Sequence, residues 1–209
     1  MGFYSNKIFP YLMDWSMSGS FLAKYRQETL AHVKGDVLEI GFGTGLNLSY
    51  YPEDIHRLVT VDPNPGANQL AQKRIQMSPI TVEQKILSGE KLPMEDATFD
   101  SVVSTFTLCS IPNVAQALQE IYRVLKPGGQ FFFVEHGLSR EAGVQVWQNR
   151  LTPIQKVIAD GCHLNRNMKQ LVERQFDTLT VEEGYAENLP KPLAYFYQGV
   201  ATKAPQSPT

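Results

Sequence analysis

Cysteine and surplus charge are both scarce in this chain, and each scarcity removes a class of function. Only Cys109 and Cys162 are cysteine among 209 residues. Two thiols so far apart lack the dense, even spacing of a disulfide-stapled secreted domain, so a reducing, cytoplasmic setting is expected. The 19 Lys and Arg nearly balance the 21 Asp and Glu, for a formal net charge of -2. No global field therefore draws nucleic acid or anionic lipid to the surface. Long apolar runs are missing too: none reaches the ~18 residues of a membrane span. The first 20 residues are rich in aromatics but broken by Asn6, Lys7, Pro10 and Asp14, so neither a signal peptide nor a stable membrane anchor is expected there. No segment repeats at a period of some 20 to 50 residues.

What remains is ordinary globular composition, 43% hydrophobic and 19% charged, in a length that suits one domain with a sizeable core. One domain is expected over residues 1–203, with 204–209 a frayed tail. Ile8, Tyr11, Leu12 and Trp15, then Phe21, Leu22, Tyr25, Leu30 and Val33, keep helical spacing and predict two helices in 1–34. Strands are predicted at 37–40, 58–61, 81–87, 99–106 and 131–135, alternating with helices that start at 46, 64 and 113. The face Val114, Ala117, Leu118, Ile121 and Leu125 marks the last of these, with Asn113 as its cap and Pro127-Gly128-Gly129 as its stop. Such alternation implies an α/β domain with a mainly parallel sheet and a ligand beyond the carboxyl ends of its strands. Residues 144–158 and 167–174 read as helices despite Pro153. The segments 176–182 and 193–202 read as two last strands, which would make the sheet seven-stranded.

The strongest local signal is Glu39-Ile40-Gly41-Phe42-Gly43-Thr44-Gly45, a glycine turn between a strand and a helix. Asp62 ends the next strand about 20 residues on, where a carboxylate can take the hydroxyls of a ribose. The dinucleotide fingerprint wants its third glycine where this chain has Leu46, so the spacing is Gly-x-Gly-x-Gly. Glu39 before the turn suits a ligand with an ammonium group and would repel a pyrophosphate.

With Gly89-Glu90-Lys91-Leu92-Pro93, Phe99-Asp100 and Leu125-Lys126-Pro127-Gly128-Gly129, these segments resemble the motif series of class I S-adenosylmethionine methyltransferases, Rossmann-like domains with helices on both faces of the sheet. The series is similar to that of the quinone and phospholipid methyltransferase group. Thr107-Leu108-Cys109-Ser110-Ile111, Val134-Glu135-His136 and Asp160-Gly161-Cys162-His163-Leu164-Asn165-Arg166 resemble more narrowly the branch whose animal members methylate small thiols. The resemblance implies S-adenosyl-L-methionine as cofactor. The turn Gly41, Gly43 and Gly45, with Glu39 and Asn47, would surround its methionine part. Asp62 and Asn64 would take the ribose, and Ser88, Gly89 and Glu90 the adenine edge. Thr105 and Leu108 would line the face near the sulfonium, with Leu108 against the adenine, and the helices of 1–34 would form a lid. The segment 35–136 would then be the cofactor core and 137–203 the acceptor side.

For the acceptor, a small thiol is expected, with a quinone carbon or a phospholipid nitrogen as the alternatives. A thiol must lose its proton, and His136, at the end of the fifth strand, is the candidate general base. Asp160 is the second candidate catalytic residue, in a polar segment expected to be a loop that closes the pocket. Cys162 and His163 are adjacent and lack the paired spacing of a zinc site, so no metal is expected. Cys109 reads as a small buried apolar residue. A cofactor-binding regulatory protein without activity would not need the complete motif set. A nicotinamide dehydrogenase is disfavoured by Leu46, and a nucleic-acid partner by the absence of a basic stripe.

Overall fold

The computed structural model describes residues 2–205. Its centre is a seven-stranded sheet in the order β3-β2-β1-β4-β5-β7-β6. The strands are β1 (Val37–Ile40), β2 (Arg57–Val61), β3 (Thr81–Lys85), β4 (Phe99–Thr105), β5 (Leu125–His136), β6 (Thr178–Tyr185) and β7 (Tyr195–Thr202). Strands β1 to β5 run parallel, and β7 inserts antiparallel between β5 and β6. The helices are α1 (Phe9–Met17), α2 (Ser20–Leu30), α3 (Pro65–Met77), α4 (Val114–Val124), α5 (Ala142–Ile158), α6 (Met168–Glu173) and the single turn α7 (Lys191–Ala194).

Both faces of the sheet are covered, which is why β1 is buried at all four positions and carries Val37, Leu38 and Ile40 around the single polar Glu39. Along β5, Phe131 and Phe133 pack with Leu118 and Ile121 of α4 and Val172 of α6. Phe132 between them points the other way, to Leu30 of α2 and Ala71 of α3. The same alternation divides Leu38 and Ile40 from Val37, and puts Glu39 on the α2/α3 face.

Three local outcomes differ from the sequence expectation. Residues 46–49 form only a 3₁₀ turn, because Pro52 leaves no room for a longer helix. Pro127-Gly128-Gly129 does stop α4 but lies inside β5, whose early part meets β4 with a register shift between Phe99 and Ser101. Gly128 at φ 78° absorbs that irregularity while its N–H donates to Lys203 O at 3.0 Å. Pro153 sits inside α5 without ending it. At the carboxyl end, Ala204 N–H donates to Asp177, and the expected fraying of 206–209 falls outside the described residues.

Candidate active site

A cavity of about 840 Å³ opens above the carboxyl ends of β1, β2, β4 and β5, roofed by α1 and bounded by the end of α5. Its floor is the turn after β1. Gly41 has φ 76°, and a Cβ there would overlap the side chain of Thr107, so only glycine lets the β1 and β4 ends approach this closely. Gly41 N–H donates to Val61 O at 2.8 Å. Asp62 fixes the rest of the turn: Oδ2 accepts from Gly43 N–H and Oδ1 from Asn64 N–H, each at 2.8 Å. Asn64 in turn caps α3 through Gly66 and Ala67. Burial raises the Asp62 carboxyl above its ordinary value, and the two backbone hydrogen bonds oppose this.

At the inner end of the turn Glu39 is 1% exposed. It accepts from Asn47 Nδ2 at 2.8 Å and from the Tyr51 hydroxyl at 2.7 Å. Burial pushes its carboxyl up to about 8 in spite of those bonds. Asn47 also reaches Thr105 Oγ1 at 3.0 Å. Two polar atoms here are buried without a partner among the described residues, Asn47 Oδ1 and Arg26 Nε. Arg26, on α2, is 5% exposed, and its guanidinium lies 5.7 Å from the centre of the Phe106 ring. Orphaned buried groups of this kind are expensive unless a ligand completes them. An unpaired guanidinium and a buried carboxyl beside a glycine cradle match the carboxylate and ammonium of an amino-acid moiety, and Asp62 matches a ribose. The residues present therefore fit S-adenosylmethionine.

The lid is tied down from both sides. Asp14 of α1 accepts from Arg74 Nη1 of α3 at 2.8 Å and from Thr44 Oγ1 of the glycine turn at 2.5 Å. The Tyr4 hydroxyl donates to Ile158 O at 2.8 Å, and Ser5 Oγ to Asp160 Oδ1 at 3.0 Å. Leu12, Met13 and Trp15 line the roof, while Phe106 and Phe196 line the wall.

Beyond the cofactor pocket the cavity wall carries Cys109, His136 and Cys162. His136 Nε2 lies 2.8 Å from Cys162 Sγ, and one side-chain donor from each of the three residues falls within 4.8 Å of the others. The segment 160–166 delivers Cys162 by clamping onto the loop after β4. His163 N–H donates to Cys109 O at 2.9 Å, and the Arg166 guanidinium binds Leu108 O. Gly161, at φ 97°, lets this segment pass close to Ser110 O. Glu135 holds the same loop from beneath: its carboxylate accepts from the N–H groups of Thr107, Leu108 and Cys109 and from Ser104 Oγ. Within the cluster, the bond from Cys162 pushes the Cys109 thiol well below its ordinary value despite burial. The same bond pushes Cys162 up. Burial pulls His136 down, but the Cys109 charge, the hydrogen bond with Cys109 and the Glu135 charge together outweigh this and the net direction is up.

The candidate residues thus divide. Glu39, Gly41, Gly43, Asn47, Asp62, Asn64, Ser88, Gly89, Thr105, His136 and Asp160 line the cavity. Three do not. Gly45 serves the turn geometry at φ 79°, packed on Phe42. Glu90 takes the Ser88 hydroxyl and Asn113 N–H, so its carboxylate is spent on the start of α4. Leu108 is fully buried in the core, because Glu135 turns its backbone inward, and Cys109, Ser110 and Ile111 line the wall instead. Cys109, read from sequence as an apolar filler, belongs to the thiol-imidazole cluster. Cys162 meets Cys109 and His136 and not its sequence neighbour His163. Arg26 and Asp14 escaped sequence reading. The available signal was Arg26 falling at the spacing of the buried α2 positions Leu22, Thr29 and Leu30.

Comparison with known proteins supplies the family. The family described as "Methyltransferase domain" matches residues 38–133. Thiol S-methyltransferase TMT1B of Rattus norvegicus is 36% identical over 190 residues, covering 83% of this chain and 77% of that one. Phosphatidylethanolamine N-methyltransferase of Cereibacter sphaeroides is 32% identical over 125 residues, 56% of this chain and 60% of that one. Among solved structures, a putative methyltransferase of Bacillus halodurans superimposes with a TM-score of 0.69 at 19% identity, covering 89% of this chain and all 100% of the other. With a sheet of this order, a glycine cradle completed by Asp62 and relatives matched over most of its length, the chain belongs to the class I S-adenosylmethionine-dependent methyltransferases.

Proposed function

We propose that the methyl acceptor is a small, largely apolar thiol. The observation that carries this is the makeup of the cavity wall beyond the cofactor pocket. Phe106, Ile111, Leu164, Leu193 and Phe196 surround a space in which Cys109, His136 and Cys162 stand beside the polar groups of Ser110, Gln155 and Asp160. Such a wall accommodates an apolar body, and the thiol-imidazole cluster offers a place where an S–H can lose its proton. The likeness to a thiol S-methyltransferase over most of the chain supports the same acceptor.

When bound, the cofactor supplies a methyl group on a positively charged sulfur. The chain's own work is to hold that group, align the acceptor behind it and keep water away. Arg26, Glu39 and Asn47 would hold the amino-acid end, Asp62 and Asn64 the ribose, and Ser88 and Gly89 the adenine edge. The roof residues Leu12, Met13 and Trp15, latched through Asp14–Arg74 and Ser5–Asp160, exclude water. His136, at the cavity wall, would stand where the acceptor thiol loses its proton.

The test is competition between acceptor classes. Purified protein with methyl-labelled donor is offered an aliphatic thiol, a quinol and ethanolamine phospholipid at matched concentration. A labelled thioether as the dominant product is expected. Label in the quinol or the amine, with none in the thiol, would refute the reading.

A further inference from the structure

We propose that Cys109, His136 and Cys162 form a three-ligand site for a soft divalent cation, zinc by its donor set, with the remaining position facing the cavity and open to a thiol sulfur. The identity of that fourth ligand rests on the thiol reading above, and the metal site itself does not.

Three observations carry the proposal. The donor atoms of the three residues already lie within 4.8 Å of one another. Tetrahedral zinc, with Zn–S about 2.3 Å and Zn–N about 2.0–2.1 Å, would set them roughly 3.5–3.8 Å apart. The 2.8 Å contact between His136 Nε2 and Cys162 Sγ would open by roughly 0.7 Å, within reach of side-chain rotation. Two thiolates and an imidazole are also the donor types that select zinc over magnesium or calcium. Finally, all three residues line the cavity, with Cys109 and Cys162 buried in its wall and His136 partly exposed. A three-ligand site with one open position is the arrangement of catalytic rather than structural zinc.

The backbone around the cluster is fixed as a preorganised site requires. Cys109 sits on a loop pinned by Glu135, and Cys162 on a segment pinned to that loop through His163 N–H and Arg166. Next to the sulfurs, Ser110 Oγ lies 3.6 Å from Cys109 Sγ, and Gln155 Nε2 lies 3.7 Å from Cys162 Sγ. Groups so placed orient thiolate ligands and moderate their charge. A thiol taking the open position would release its proton to solvent on binding, as coordinated thiols do. Its sulfur would take the methyl group as the donor's carbon–sulfur bond breaks, leaving the neutral demethylated donor and a neutral thioether, a weaker ligand, which departs.

Full-length protein stripped with a chelator is titrated with zinc(II) and cobalt(II) in the absence of methyl donor. One equivalent per chain is expected, with a tetrahedral cobalt spectrum carrying sulfur-to-cobalt charge transfer, and an added aliphatic thiol should shift that band. Cys162→Ser and His136→Asn, checked for fold by thermal melting, should each weaken cobalt binding by at least ~10-fold, the lower end of the loss expected on disturbing a metal site. The unaltered protein needs no variant to be informative: a cobalt spectrum without sulfur charge transfer overturns the proposal. So does cobalt binding undiminished in Cys162→Ser, or a Cys109–Cys162 disulfide that accounts for the cluster. If cobalt binds and the thiol shifts its band while no thiol is methylated, the acceptor reading falls and the site stands. If the stripped protein methylates thiols at full rate and binds no cobalt, the reverse holds.

Discussion

At the cofactor end of the cavity most polar contacts join residues near one another in sequence, Asn47 to Thr105 excepted, and at the acceptor end His136 and Cys162 come from distant elements. Glu39 binds Asn47 eight positions away, and Asp62 binds Asn64 two positions away and Gly43 nineteen away, all between β1 and the start of α3. His136 and Cys162 are 26 positions apart and come from β5 and from the segment after α5. The first end is a turn whose geometry is local and whose remaining open atoms, on Asn47 and Arg26, await a ligand. The second is a cluster whose donors face one another and whose backbone is pinned by Glu135 and Arg166. The two ends touch through the end of β4 and the loop after it, where Thr105 accepts from Asn47 and Thr107 packs on Gly41 and donates to Glu135, so a change at one end is expected to reach the other mainly through that loop.

The largest break in that comparison is at His136. His136→Ala should lower turnover with a thiol by about 10²- to 10⁴-fold, the usual effect of losing a group that promotes proton removal. Affinity for the demethylated cofactor should stay within about twofold, as for sites that share no partner. Steady-state kinetics beside calorimetry separates the two quantities, and a matching loss of affinity would merge the two ends into one site.

Asp62→Ala works from the opposite end. Loss of a charged acceptor for the ribose should weaken cofactor binding by about 1.5–3 kcal/mol. The variant also frees Gly43 N–H and Asn64 N–H, so its melting temperature should fall as well. Turnover at saturating cofactor should change far less than in His136→Ala. Calorimetric affinity equal to that of the unaltered protein would move the ribose elsewhere.

The smallest effect is a pH dependence confined to the cofactor end. Glu39, raised to about 8 by burial, keeps its proton in the empty protein, whereas an ammonium group beside it favours the carboxylate. Binding at pH 7 should therefore release up to about one proton, and affinity should rise with pH until it levels above about 8. For the empty protein the sign is opposite. The folded value lies above the ordinary 4.5, so this group costs nothing below that pH and takes away stability progressively as pH climbs toward 8. Calorimetry in buffers of different ionisation heat, with melting curves across the same range, checks both signs. Glu39→Gln should flatten them.

Strand order apart, much of this protein was written in short-range pattern. The alternation of apolar strands with helices, the Asn113 cap and the β5 run Phe131-Phe132-Phe133-Val134 follow from period and burial on both faces. The glycine turn with Asp62 follows from the need for positive φ and close approach at Gly41. Those signals are local, and local chemistry survives translation into sequence. The direction of a side chain around a loop does not. Leu108 and Glu90 carry plausible motif positions, yet one is turned into the core by a carboxylate from β5 and the other is spent on a helix start. The lid latch from Asp14 to Arg74 spans 60 positions, and no period or spacing encodes it. The meeting of Cys109, His136 and Cys162 was decided only when β4, β5 and the segment 160–166 converged. Sequence fixes which groups exist and which neighbours they bend toward, while the packing of distant elements alone decides which of them share a cavity wall.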